Sequence, residues 1–129
     1  KFRNIFVVFA LMVISSMSVA DVNTTNKGAS MKFGMQVVMT ATLGKGEELA
    51  ALMLDASKLV SKLNGCQIYL VQLSTSEKDT VLITEVWNSE EDHKASLSAP
   101  EIRELINKAR PLIVGMAHHT AQPLGGVGI

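Results

Sequence analysis

"GCQIYLVQLSTSEKDTVLITEVW", residues 65–87, is the stretch on which the fold turns. Cys66 to Leu73 and Thr80 to Trp87 are both rich in β-branched and apolar residues. That composition in runs of this length predicts strands. The polar "STSEKD" between them has hairpin length, so the two strands pair antiparallel.

Working outward, the residues before this hairpin change period. From Glu47 onward, Leu49, Leu52, Met53, Ala56, Leu59, Val60 and Leu63 fall at helical spacing, with Glu48, Asp55, Lys58 and Lys62 opposite them. "NG" at 64 and 65 is expected to stop this helix, with Gly65 in the left-handed capping position. Upstream of "LGKG", Phe33 to Thr42 reads as a strand. Downstream, Ser89 and Asp92 have capping-box spacing for another helix, and its first-turn acids suit the positive end. "SAPE" predicts a second helix start, capped by Ser98 with Glu101. Ile102, Leu105, Ile106 and Ala109 then line one stripe, Pro111 ends it, and "LIVGMAHHTA" reads as a last strand. The order is strand, helix, strand, strand, helix, strand. Right-handed crossovers turn that order into an α+β, ferredoxin-like βαββαβ arrangement, an antiparallel sheet with its helices on one face.

The strands carry a further consequence. One face of the first hairpin strand offers Cys66, Ile68 and Leu70, the other Tyr69, Val71 and Leu73. Its partner offers Val81, Ile83 and Trp87 against Leu82 and Val86. A sheet with one wet side alternates apolar and polar residues. Helices cover only one side here, so a second copy packed sheet to sheet is expected to cover the other, giving a homodimer.

The chain has 129 residues and formal net charge +0, enough for one domain with a real core. Basic residues are scattered without a patch or interleaved aromatics, so no nucleic-acid partner is expected. One cysteine excludes an internal disulfide framework and a cysteine-rich metal site. Residues 1–20 run from basic "KFRN" through apolar "IFVVFALMVI" to "SSMSVA". That order predicts a secretory signal cleaved after Ala20, too short for a comfortable membrane span. Residues 21–31 read as a linker and 32–129 as the domain. A periplasmic or secreted location follows, or a cytoplasmic one if translation starts at Met31.

"GCQIYLV", followed by "TEVWNSEEDHKASLSAPEIRELINKARPLI", resembles the antibiotic biosynthesis monooxygenase family, which includes quinol monooxygenases. The resemblance spans residues 32–129 and is most specific at Glu85-x-Trp87, the polar turn after it and the helix interrupted by "xxP". It implies a dimeric α+β barrel with a pocket in each subunit between sheet and helices. It also implies oxygenation of quinol-like or polyketide-like aromatics with no metal or flavin, so no cofactor is expected. In that chemistry the deprotonated substrate itself supplies electrons to dioxygen, and the protein removes a proton and stabilises the anion. This chain departs from the family at Ser96 and Glu101, where family histidines often fall. Haem-degrading relatives place an asparagine and a histidine where Met39 and Ile106 stand here, which argues against haem degradation.

Each candidate residue has a structural reading beside its functional one. Trp87 is expected both to fill the core and to border the pocket. Glu85, two residues earlier on the same strand face, is either ion-paired with Arg110 or Arg103, or a general base with a raised pKa. His93 is expected on the surface beside its acids; turned inward, it would be the proton acceptor next to Trp87. Tyr69 either packs its ring and wets its hydroxyl or donates to a substrate oxygen. With Met39 and Ile106 it makes up the expected substrate-binding set. His118 and His119 face opposite sides of a strand and cannot chelate one metal. Cys66 reads as a small buried apolar residue, and Met35, Met39, Met53 and Met116 as gap-fillers. A non-catalytic small-molecule-binding dimer and an isomerase of a small carbonyl compound are the alternative functions.

Overall fold

The computed structural model describes residues 31–129, so the expected leader and most of the linker lie outside the described residues. Strand β1 (Phe33–Ala41) leads into helix α1 (Gly46–Val60), and the hairpin β2 (Cys66–Leu73) and β3 (Thr80–Trp87) follows. Helices α2 (Glu90–Ser96) and α3 (Pro100–Ala109) and a short 3-10 turn, Arg110–Leu112, then lead into β4 (Ile113–Ala121). The sheet order is β2-β3-β1-β4, with every neighbouring pair antiparallel. This is the ferredoxin-like α+β arrangement expected from the order of elements.

Local chemistry explains the boundaries. The Ser89 side chain accepts from the Asp92 amide and caps α2, as its spacing predicts. The Ser98–Glu101 box does not form. The chain turns through residues 97–99 on short backbone bonds back to Lys94, Ala95 and Ser96, which leaves Ala99 as the cap and Pro100 opening α3. Gly65 has the expected positive φ of 88°, but α1 ends at Val60, so this glycine sets the entry to β2 rather than capping the helix. It also lies tight against Asp92 of α2.

At the opposite edge Asp79, itself at φ 56°, holds the β1–α1 turn to the hairpin. Its carboxylate accepts from the Gly44 amide at 2.9 Å and the Gly46 amide at 3.0 Å. Those two bonds depress its pKa below the ordinary carboxylate value. A Cβ at Gly46 would stand 2.7 Å from the Asp79 Cα, so only glycine lets the two backbones meet.

The core lies between sheet and helices in two joined clusters. One sets Val37, Met39, Val81 and Ile83 against Leu49 and Met53 of α1. The other sets Trp87 against Val60 and Ile102, with Phe33 and Cys66 at its margin. Cys66 therefore belongs to the helix side, not to the Ile68–Leu70 face. A bulge between Cys66 and Ile68 inserts one residue, which flips the side on which the cysteine lands. The far face of the sheet keeps Ile68, Leu70, Val38 and Leu82, crossed by a Thr84-to-Gln36 hydrogen bond at 3.0 Å. Among the described residues no helix is long and apolar enough to cross a membrane.

Candidate active site

Antiparallel register fixes what meets on the helix side of the sheet. Glu85 stands opposite Met35 on one neighbour and Tyr69 on the other. One step along, Trp87 stands between Phe33 and Cys66. His93 comes from the first turns of α2, which begins three residues after the strand ends. The turn is short enough that the helix folds its histidine back over the strand it has just left.

The result is a compact polar group in apolar surroundings. The Trp87 Nε1–H donates to Glu85 Oε2 at 3.2 Å. His93 Nε2 lies 3.5 Å from the same oxygen. The His93 ring sits 5.1 Å from the Phe33 ring and meets Trp87 edge-on at 5.7 Å. Trp87 is 1% exposed and Glu85 7%. His93 is turned inward, its side chain only 12% exposed. The surface position expected for it is not adopted, because Phe33 and Trp87 offer its ring an apolar seat beside an acceptor. Nor does Glu85 pair with arginine: among the described residues neither Arg103 nor Arg110 reaches ion-pair distance of it.

Burial sets the electrostatics. It pushes the Glu85 carboxyl above its ordinary value of 4.5, and the Trp87 donor partly offsets that rise. Burial also pushes the His93 imidazole below its ordinary 6.5. A 3.5 Å contact alone would favour the charged pair, but desolvation works against both charges. The arrangement therefore favours a neutral imidazole beside a carboxyl poised to take up or release a proton. Tyr69 is pushed strongly upward by burial and by the Glu85 charge, so it stays a phenol and a donor. Its hydroxyl has no partner among the described residues, whereas its backbone carbonyl accepts from Ser57 Oγ at 3.3 Å.

These groups line one end of a cavity of about 550 Å³ between the sheet and the helices. Its volume is that of a small-molecule site, commonly about 300–1,000 Å³. All six residues singled out in the sequence, Glu85, Trp87, His93, Tyr69, Met39 and Ile106, border it. The sequence reading missed Phe33 as the seat of His93. The signal was available in the register, which places Phe33 directly across from Trp87. Ser96 borders the cavity too, but its hydroxyl donates to the His93 carbonyl at 2.6 Å. Glu101 is exposed and takes no part. His118 lies on the cavity side and His119 on the far face, as strand alternation requires. No cluster of three or more histidine, cysteine or acidic side chains suited to a metal occurs among the described residues.

A four-stranded antiparallel sheet roofed by helices over an apolar cavity, with a buried acid at one end, defines a ferredoxin-like α+β domain. Residues 33–108 match the family model described as antibiotic biosynthesis monooxygenase. The chain belongs to the antibiotic biosynthesis monooxygenase family. It is similar to a solved candidate member of that family from Chloroflexus aurantiacus J-10-fl, with 38% identity and a TM-score of 0.69, over 74% of this chain and 95% of that one. A candidate member from Caulobacter crescentus CB15 shares the fold at 16% identity and a TM-score of 0.69, over 75% and 93% of the two chains. SnoaB, a cofactor-independent oxygenase from Streptomyces nogalater, shares it at 11% identity and a TM-score of 0.66, over 76% and 98%. No curated protein matches the chain.

Proposed function

We propose that this protein is a monooxygenase that oxidises a quinol or a related polyketide-like aromatic with dioxygen, needing no metal or organic cofactor. The observation that carries the reading is the buried Glu85–Trp87–His93 group at the end of an apolar cavity. Family membership and the fold shared with a cofactor-independent oxygenase support it.

Glu85, in its carboxylate form, takes the proton from a substrate hydroxyl: that O–H bond breaks and a new one forms on the carboxyl. Trp87 and His93 hold the carboxyl in place, and Tyr69 donates to the phenolate oxygen as charge develops there. The phenolate then supplies the electrons that reduce dioxygen. For a quinol the sum balances. One dioxygen atom enters the ring as a hydroxyl, the other leaves as water with two hydrogens, and the ring ends as a hydroxyquinone. Apolar walls strengthen each of these interactions relative to water.

The protein is further proposed to act as a homodimer through the far face of the sheet, where Leu70 is 50% exposed in the single subunit. Location in the periplasm or outside the cell remains a proposal resting on residues 1–20. The second reading is a binding module that keeps the cavity without the chemistry. It is favoured by Ser96 and Glu101, which stand where family histidines often fall and send no base into the cavity.

Oxygen uptake with reduced 1,4-naphthoquinol, measured for the native chain, Trp87→Phe and His93→Ala, separates the two. Uptake well above the autoxidation background, reduced in both variants, is expected. Uptake at background alongside measurable binding of the quinone would establish the binding module instead.

A further inference from the structure

We propose that the cavity selects ligands carrying an anionic group, a carboxylate being the simplest, bound by Arg110 at the end remote from Glu85. The inference rests on the cavity being the ligand site, as above, and adds the chemical class of what enters it.

Register places the two charged groups at opposite ends. Glu85 is level with Met35 of β1. Arg110 opens the turn that delivers Ile113 to its pairing with Ala41, at the other end of the same strand. Met35 to Ala41 is 41 − 35 = 6 residues, or about 20 Å of strand at roughly 3.4 Å each. Both Glu85 and Arg110 nevertheless border the same cavity. Between them its wall is mostly apolar, with Met39, Met53, Ile106 and Ile113, interrupted by His118. Five ion pairs occur among the described residues, and Arg110 is in none of them. It has no side-chain hydrogen bond among those residues either.

Among the described residues Arg110 is the one permanently charged cation on this lining, and Glu85 the one acid. Its planar fork matches a carboxylate bidentately. A neutral, wholly apolar ligand would leave that fork unused. A ligand with a carboxylate at the far end from its phenol would satisfy both termini at once. An anion at the Glu85 end would instead meet a buried carboxyl and be repelled. The two charges therefore set orientation as well as class. His118 borders the cavity midway, opposite Val37, and is the alternative anchor to be distinguished.

The test compares 6-hydroxy-2-naphthoate with its uncharged methyl ester by titration calorimetry on the full chain. The native protein should bind the carboxylate roughly tenfold more tightly, a gap that narrows with salt because Arg110 is exposed. Arg110→Gln should close the gap, and Arg110→Lys should restore part of it. His118→Gln should preserve it. Equal affinity for the two ligands in the native chain would overturn the inference while leaving the monooxygenase reading intact. So would a gap that survives Arg110→Gln or disappears in His118→Gln. Failure of both ligands to bind would remove the cavity as a ligand site, and the proposed function with it.

Discussion

Replacing Trp87 by phenylalanine separates packing from chemistry, because the two roles lose different things. The indole is 1% exposed, so the substitution removes two buried carbons besides Nε1, the carbons worth roughly 1.6 kcal/mol at ~0.8 kcal/mol per methylene. Those atoms border a cavity that already exists, so little is added for a new void. The lost Nε1–H bond to Glu85 at 3.2 Å adds about 1.5–3 kcal/mol, the range for a hydrogen bond to a charged group. The sum is about 4 kcal/mol, a large share of the roughly 5–15 kcal/mol typical of a domain. Urea unfolding followed by circular dichroism measures it. The chemical consequence is separate. Trp87 is the one neighbour that holds the Glu85 pKa down against burial, so its removal moves the acid limb of the oxygen-uptake profile to higher pH. A loss below about 1 kcal/mol with an unmoved acid limb would refute both halves of the reasoning. A large loss with an unmoved limb would leave Trp87 as a packing residue alone.

Glu85→Gln should cut oxygen uptake by roughly 10²–10⁴-fold, the usual worth of a positioned base, without loss of fold. Because the folded-state pKa of Glu85 lies above its ordinary 4.5, the native chain loses stability as pH rises through that interval, and the amide should abolish this loss in pH-dependent melting. His93 has the opposite sign: its folded pKa lies below 6.5, so protonation favours the unfolded chain. Stability should fall as pH drops through 6.5, and melting of His93→Gln between pH 5 and 8 should lack that fall. Leu70→Lys places a charge on the far face of the sheet, and sedimentation should show a dimer for the native chain and a monomer for the variant.

Periodicity alone carried the fold. The hairpin at 66–73 and 80–87, the α1 stripe and the interrupted second helical stretch were all legible, because burial of one face dictates which residue types recur every second or every third to fourth position. Strand alternation by itself also puts Glu85 and Trp87 on one face. What alternation does not contain is the bulge after Cys66: one inserted residue reverses the side on which the cysteine lies, and nothing in "CQI" announces it. Of the two positions open to His93, the chain around it favours the surface, for a related reason. Its own neighbours in the chain are acids, which suggest solvent, whereas its neighbours in space are Phe33 and Trp87, 60 and 6 residues away (93 − 33 and 93 − 87).

Residue order thus determined the elements, their order and the apolar character of both sheet faces, since each depends on spacing within a few residues. The tertiary structure decided the site: which acid was buried, which histidine turned to meet it, and which arginine borders the cavity with no ion pair among the described residues. Desolvation is set by whatever packs on top of a group, and here part of that cover, such as Phe33 over His93, comes from residues far away in the chain.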